Sequence, residues 1–199
     1  MNPYYDRLYK FLRKKVIISP EEVEYMMGFS KIIKLKKKEY LFREGDMARY
    51  VGFVNQGVLR YYFVDNQGEE HIIYFAQEEW WVGDLNSFYG QTPTPYNLQA
   101  LEDTEIFGFH LENFDLIRRE VPPFEEFRKA SHAKATAARI NNSLSLLSES
   151  AEERYTKLLK SFPDIFQRVP QHYIASFLGI KPQSLSRIRK LLAEKNQKH

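Results

Sequence analysis

Six side chains near the C-terminus, Gln183, Ser184, Ser186, Arg187, Arg189 and Lys190, crowd one short run of the chain, and their chemistry suits base edges and phosphates. An arginine can fork onto the two acceptors of a guanine, and a glutamine onto the donor and acceptor of an adenine. Serines are short enough for phosphate or close-groove contacts, whereas Arg and Lys neutralise phosphates without reading sequence. In the same run Leu185, Ile188 and Leu192 recur at helical spacing, so apolar and polar residues take opposite faces of one helix. Pro182 suits its first turn, where a missing amide costs little. Upstream, Ile174, Ala175 and Leu178 form a second, shorter apolar face, and Gly179 takes the turn that other residues reach only with strain. Two helices joined by a glycine turn, the second studded with bases, read as a helix-turn-helix whose second helix enters a major groove. A helical hairpin with a solvated basic face shares the apolar spacing; turn chemistry and groove-capable side chains favour double-stranded DNA.

Charge follows the same division. Of the 199 residues, those from Ala151 onward carry ten Lys/Arg against four Asp/Glu, a net +6, while the first 150 carry 19 against 22, a net −3. A basic end on a mildly acidic body fits a polyanion partner for the small part only. The absence of cysteine excludes disulfides, thiolate-ligated zinc, iron–sulfur clusters and thiol catalysis. No apolar run approaches the roughly 20 residues that span a bilayer. The N-terminus lacks the pattern of a signal peptide, so a cytoplasmic protein without membrane contact is the expectation.

The elements that must carry this output end change period along the chain. Residues 1–30 read as amphipathic helix, with Tyr5, Leu8, Tyr9 and Leu12 at one spacing. A second helix opens at Ser19-Pro20-Glu21-Glu22, where serine caps and proline takes the first turn. From Ile32 to His110 the runs are short and β-branched or aromatic: Ile32-Ile33, Tyr40–Phe42, Val51–Val54, Val58–Val64, His71–Phe75, Leu98–Leu101 and Thr104–Phe109. Turns at Glu44-Gly45-Asp46, Asn55-Gln56-Gly57, Asp65–Gly68 and Glu102-Asp103 separate them, which predicts an antiparallel sandwich or jelly roll. Helix returns over Leu111 to Arg119, and Pro122-Pro123 interrupts it. A long helix follows from about Phe124 to Leu147, with Phe127, Ala130, Ala133, Ala137, Ile140, Leu144 and Leu147 in one stripe. A stripe so long and rich in small residues suits pairing with a second helix in a homodimer. Ser148-Glu149-Ser150 reads as a hinge, with Ser150 capping a helix from Ala151 to Lys160. The expected class is α+β: residues 1–148 an antiparallel β-roll with N-terminal and dimerisation helices, residues 149–199 an all-α DNA-binding domain.

A helix-capped roll, a long helix and a C-terminal helix-turn-helix, in that order, resemble the cyclic-AMP receptor protein / fumarate-nitrate regulator (Crp/Fnr) superfamily of bacterial transcription regulators. Glu44-Gly45-Asp46 with Asn55-Gln56-Gly57, the run Trp81-Val82-Gly83-Asp84-Leu85 and the C-terminal motif carry the resemblance, which spans nearly the whole chain. It implies that Lys181 to Ala193 is the recognition helix and that Gln183 and Arg187 read bases. Pro182 replaces a residue that is often basic. Lys181, Ser184 and Ser186 join the DNA-facing set, with Arg189, Lys190 and the tail residues Lys195 and Lys198 on phosphates.

Two departures matter. In members that bind cyclic AMP a Gly-Glu-Leu run holds the ribose and an Arg-Ser pair the phosphate; here Gly83-Asp84-Leu85 and Thr94-Pro95 stand in those places. A buried phosphodiester needs a cation or several donors, and Thr94 offers one hydroxyl while Pro95 lacks an amide hydrogen. The usual cyclic-nucleotide mode is therefore not expected. The pocket, with Tyr96 beside it, is either vacant or open to a different small-molecule effector against Trp80, Trp81, Phe88 and Tyr96. The second departure is length: seven residues follow Leu192, and Phe162–Val169 is too short for much of a wing, so dimerisation should matter more. No cofactor and no metal are assigned, His71 and His110 being the roll's candidate haem ligands. A cupin-type enzyme would need closely spaced histidines, which His71 lacks. The chain is read as a non-enzymatic DNA-binding homodimer with RNA polymerase as a further partner; the rival is a small-molecule-binding module whose C-terminal domain makes protein contacts.

Overall fold

A computed structural model describes residues 1–196, apart from the side chains of Arg139, Ser143, Ala193, Lys195 and Asn196. Eight strands form two four-stranded antiparallel sheets. The first holds β1 (Lys31–Leu35), β3 (Tyr50–Gln56), β6 (Trp81–Val82) and β8 (Thr104–His110) in the order β1-β8-β3-β6. The second holds β2 (Tyr40–Phe42), β4 (Leu59–Val64), β5 (Glu70–Ala76) and β7 (Asn97–Ala100) in the order β2-β7-β4-β5. Inward residues such as Val54, Leu59, Leu98 and Ile106 are fully buried between the sheets. The architecture is α+β, as expected.

Helices cover both outer faces. On the first sheet lie α1 (Asp6–Arg13), α2 (Pro20–Met27), α4 (Leu111–Glu120) and the start of α5 (Pro122–Ser148), which bury Leu8, Leu12, Met26, Phe114 and Phe124 against Phe53 and Phe107. Ser19 closes a full capping box with Glu22 at the start of α2. On the second sheet lie α6 (Ala151–Ser161), α7 (Ile165–Arg168), α8 (Gln171–Phe177) and α9 (Pro182–Asn196). Their Leu158, Phe162, Ile165 and Ile174 share one apolar cluster with Tyr62, Ile72 and Phe75 of the roll. Covered on both faces, β4 is buried over four consecutive residues, Leu59 to Tyr62, where a strand with one wet face would alternate.

Several boundaries differ from the sequence expectation. A strand of two residues, β6, and a helix of six, α3 (Leu85–Gly90), are too short to show a period. Asn55 and Gln56 belong to β3, so that turn contracts to Gly57-Val58. The helix does break at the prolines, with Val121 non-helical at φ −124° and ψ 81° between α4 and α5, but Pro122 itself opens α5 at its first turn, where its missing amide is harmless. Within Phe162–Val169 the chain forms α7 rather than any part of a wing. Along α5 only Phe127 of the apolar stripe is buried; Ala130, Ala133 and Ala137 are exposed, as are Ile140 at 57%, Leu144 at 55% and Leu147 at 87%. Among the described residues no helix is long and apolar enough to cross a membrane.

Candidate nucleic-acid interface

Main-chain bonding fixes the turn between α8 and α9. Gly179 sits at φ +64°, and the amides of Gly179 and Ile180 donate to Ser176 O and Ala175 O, both at 3.0 Å, closing a Schellman motif. Arg154 of α6 satisfies the last carbonyl of that end, donating from Nε (3.1 Å) and Nη2 (2.8 Å) to Leu178 O; its Nη1 donates to Glu149 O. Ile174, Ala175, Leu178 and Leu185 are fully buried, and Ile188 and Leu192 partly so, which sets the roll of α9 about its own axis. Gln183, Arg187 and Lys190, spaced four and three apart, therefore share an outward stripe, flanked by Lys181 and Ser186, all five exposed. Ser186 Oγ donates back to Pro182 O at 3.2 Å, and Ser184 is half-buried. The Arg189 guanidinium lies 4.4 Å over the Phe166 ring, inside its own domain. Lys198, and the side chain of Lys195, lie outside the described residues.

The opposite side of this unit is fastened to the roll. Ser176 of α8 donates to Glu70 O (2.9 Å) and accepts from the Ile72 amide (3.4 Å), covering main-chain groups of the edge strand β5. Arg60, only 3% exposed, donates to Gln99 Oε1 at 2.7 Å and pairs with Glu70 through Nη1 and, at 3.0 Å, Nη2. Its guanidinium is sandwiched between Tyr62 of β4 and Tyr173 of α8, 3.9 and 4.0 Å from the ring centroids. Arg168 of α7 reaches Glu78 at 2.8 Å and Glu102 at 2.5 Å. Burial pushes the Glu78 carboxyl up, but the bonds from Arg168 and the Gly57 amide outweigh it and hold it below the usual range. Hydrogen bonds to Glu78 and then Glu102 raise the Arg168 guanidinium against the effect of its burial. Tyr173 and Ser176 thus spend the first helix on the roll, while the second stays open to solvent.

The run Gly83-Asp84-Leu85 links β6 to α3, with Leu85 the first residue of the helix. Gly83, at φ +148°, packs against β3 at a position where a Cβ would stand 3.1 Å from Val51 Cγ2. Asp84 Oδ1 caps α3 by accepting from the Asn86 (3.0 Å) and Ser87 (3.4 Å) amides. Its Oδ2 accepts from Thr94 Oγ1 at 2.7 Å, and the same Thr94 oxygen accepts from the Tyr96 amide at 3.2 Å. The Thr94 main chain is tied to the 44–46 turn through Gly45 and Asp46. Asp84 is 5% exposed and Thr94 1%, so both are saturated by the protein itself. Pro95 is exposed, and Tyr96 lies 4.9 Å from Tyr61, which stacks on Tyr74 at 4.8 Å inside the roll.

Residues 32–120 match the family model described as the cyclic nucleotide-binding domain. The transcriptional activator protein Anr of Pseudomonas aeruginosa is 27% identical over 183 residues, covering 83% of this chain and 73% of that protein. The chain is thus similar to Crp/Fnr-type regulators over most of its length. Among solved structures, FixK2 from Bradyrhizobium japonicum superposes with TM-score 0.72 at 17% identity, covering 84% of this chain and 86% of that one. The catabolite activator protein of Thermus thermophilus follows with TM-score 0.59 at 20% identity, over 94% and 88%. These two likenesses show the fold.

The expected site residues separate into groups. Lys181, Gln183, Ser186, Arg187 and Lys190 come together on one face, while Arg189 turns inward and Ser184 lies between. Gly83, Asp84, Leu85, Thr94 and Tyr96 are neighbours, but the four aromatics expected to enclose a ligand do not converge. Phe88 is fully buried against Phe114, Trp81 stacks among phenylalanines, Tyr96 belongs to the roll interior, and Trp80 lies over Phe162. His71 Nε2 is 2.7 Å from Asp65 Oδ2, and His110 ends β8 beside Tyr50. Sequence reading passed over Arg60, Arg154 and Arg168. Partners such as Tyr173 for Arg60, Leu178 for Arg154 and Glu78 for Arg168 lie 24 to 113 positions away, and the one available signal was Arg60 within an otherwise apolar run.

Proposed function

We propose that this chain is a homodimeric, sequence-specific DNA-binding transcription regulator whose roll does not take cyclic AMP in the usual way. The observation that carries the reading is the outward stripe Gln183–Arg187–Lys190, held by a closed turn and a buried hydrophobic face while the first helix is spent on the roll. Arg187 reads a guanine and Gln183 an adenine; Lys181 and Lys190 take phosphates, and Ser186 lies at the groove edge. The exposed seam Ile140–Leu144–Leu147 supports pairing of α5 with its copy, because an apolar stripe of this length favours burial. RNA polymerase is the next partner once the dimer sits at a promoter. Saturation of Asp84 and Thr94 supports the second half of the proposal, since a cyclic phosphate would meet a carboxylate and no free cation there. The test is binding of the full chain to a near-palindromic duplex across a salt series. Affinity should fall as salt rises, and Arg187→Ala should remove most of the sequence preference. Indifference to that substitution would favour protein contacts as the work of the C-terminal part.

A further inference from the structure

At the tip of the β4–β5 hairpin three metal-ligating side chains converge. Val64 pairs with Glu70 and Phe63 with His71 in the ladder, and Gly68, at φ +82°, closes the turn. Asp65 and Glu69 therefore face each other across the turn, joined by the Asp65 amide donating to Glu69 O at 3.0 Å. Glu69 and His71, two apart, project to one side. Asp65 Oδ2 stands 2.7 Å from His71 Nε2, and one ligand atom from each of Asp65, Glu69 and His71 lies within 4.8 Å of the others. Among the described residues this is the one such group of three. Sequence spacing offered His71 no second histidine on its strand; the hairpin gives it two carboxylates instead.

Exposed carboxylates gather on many surfaces without an ion, and several features set this group apart. Like charges directly opposed across an antiparallel pair are destabilising, yet Asp65 and Glu69 oppose each other. Asp65 spends only Oδ1 on the turn, accepting from the Gln67 (2.8 Å) and Glu69 (3.0 Å) amides, so its Oδ2 is turned to His71. The Glu69 carboxylate takes no hydrogen bond or ion pair among the described residues. The imidazole is held nearly flat against Phe63, with ring centroids 4.9 Å apart and planes 19° apart. Ligands around one Zn²⁺ at about 2.0–2.2 Å stand roughly 3–4 Å from one another, so a small swing of the unrestrained Glu69 side chain closes the set. One imidazole nitrogen and two carboxylate oxygens also choose among cations. Imidazole suits Zn, Cu, Fe and Ni, whereas Mg²⁺ and Ca²⁺ take oxygen ligands.

We propose that Asp65, Glu69 and His71 form a binding site for a divalent transition cation of the Zn²⁺ class, with water completing its shell. On binding, the proton shared by His71 Nε2 and Asp65 Oδ2 leaves to solvent and the ion takes its place. The site sits where the roll meets the first helix of the C-terminal motif. Glu70, between two of the ligands, accepts from Ser176 Oγ at 2.9 Å through its carbonyl and pairs with Arg60, whose guanidinium stacks on Tyr173. The ion therefore stiffens the strand end on which α8 is seated. The site itself does not depend on the function proposed above.

The site is tested without DNA, by calorimetric titration of the metal-free full chain with Zn²⁺ alone. One ion per chain at micromolar affinity is expected, with Mg²⁺ at least about tenfold weaker. Glu69→Gln and His71→Gln should each weaken Zn²⁺ at least about tenfold, whereas His132→Gln, on α5, should leave it within about twofold. Saturating Zn²⁺ should raise the melting temperature of the unaltered chain and leave that of Glu69→Gln in place. Circular dichroism checks that each variant folds, and Glu69→Gln removes a carboxylate that holds nothing in the fold. No saturable Zn²⁺ binding by the unaltered chain would overturn the proposal. So would binding indifferent to both Glu69→Gln and His71→Gln, or binding lost in His132→Gln. A chain that takes Zn²⁺ but ignores DNA would sink the regulator reading and leave the site standing; one that selects DNA but takes no Zn²⁺ would do the reverse.

Discussion

The outward face of α9 and the cassette around Asp84 are both built from polar residues on short elements, yet they are in opposite states. At the cassette every oxygen of Asp84 and the hydroxyl of Thr94 already has a partner within the protein, and both residues are buried. On α9 the Gln183, Arg187 and Lys190 side chains are exposed, and their helix is positioned by other residues altogether. The difference teaches how to tell a site awaiting a partner from the shell of one. Polar groups that hold the fold together are spent, and polar groups held in place by the fold are available. It also gives the first helix of the motif its role, since Tyr173 and Ser176 are spent on the roll so that α9 is not.

That contrast predicts a double dissociation. Asp84→Ala removes the cap of α3 and the acceptor of the Thr94 hydroxyl together. It should cost about 3 kcal/mol of stability in urea unfolding, with DNA affinity of the folded fraction unchanged. Arg187→Ala should do the reverse, costing about 1–3 kcal/mol of binding to the preferred duplex while the unfolding midpoint stays put. A large loss of DNA binding in the first variant, or of stability in the second, would break the comparison. Calorimetry with cyclic AMP and cyclic GMP sharpens it from the ligand side. No heat of binding is expected at micromolar concentrations, and saturable micromolar binding would mean that Asp84 and Thr94 exchange partners readily.

The smallest expected effect concerns acid. Glu125 is held down to about 2, chiefly by hydrogen bonds from Arg128, with burial opposing and Arg118 adding to the shift. A carboxyl lowered on folding contributes stability that is complete above its unfolded pKa and disappears as pH falls through the folded one. Glu125→Gln should therefore lower the melting temperature slightly at pH 6. The gap to the unaltered protein should close between about pH 4.5 and pH 2. A gap independent of pH would show that the Arg118–Glu125–Arg128 cluster contributes nothing through its charge.

Much of the fold was legible because its signals are local. The turn at Gly179, the caps at Ser19 and Ser150, and the β-branched or aromatic runs that mark β3, β4 and β8 each depend on a few neighbouring residues. Lys181, Gln183, Ser186, Arg187 and Lys190 were legible as one face for the same reason, since helical spacing and a buried Leu185 determine it. The contact of Arg189 was not legible because nothing nearby announces that Phe166, 23 positions upstream, will lie beneath it. Seating of the C-terminal helices on the outer sheet was beyond reach for a deeper reason. It depends on Arg60 meeting Tyr173 and Arg168 meeting Glu78 and Glu102, pairings that only the tertiary fold creates. The burial of β4 on both faces follows from that seating, and a run of apolar residues alone cannot say what covers it.

The most direct test of the central claim is selection of bound DNA by the full chain from a random pool. A dimer presenting two α9 helices predicts enrichment of a near-palindrome whose half-sites lie about 34–36 Å apart, one helical turn. Weakening of that enrichment at higher salt, and its loss in Arg187→Ala, complete the prediction. A pool that returns unenriched, or enriched only for a lone half-site, would contradict it.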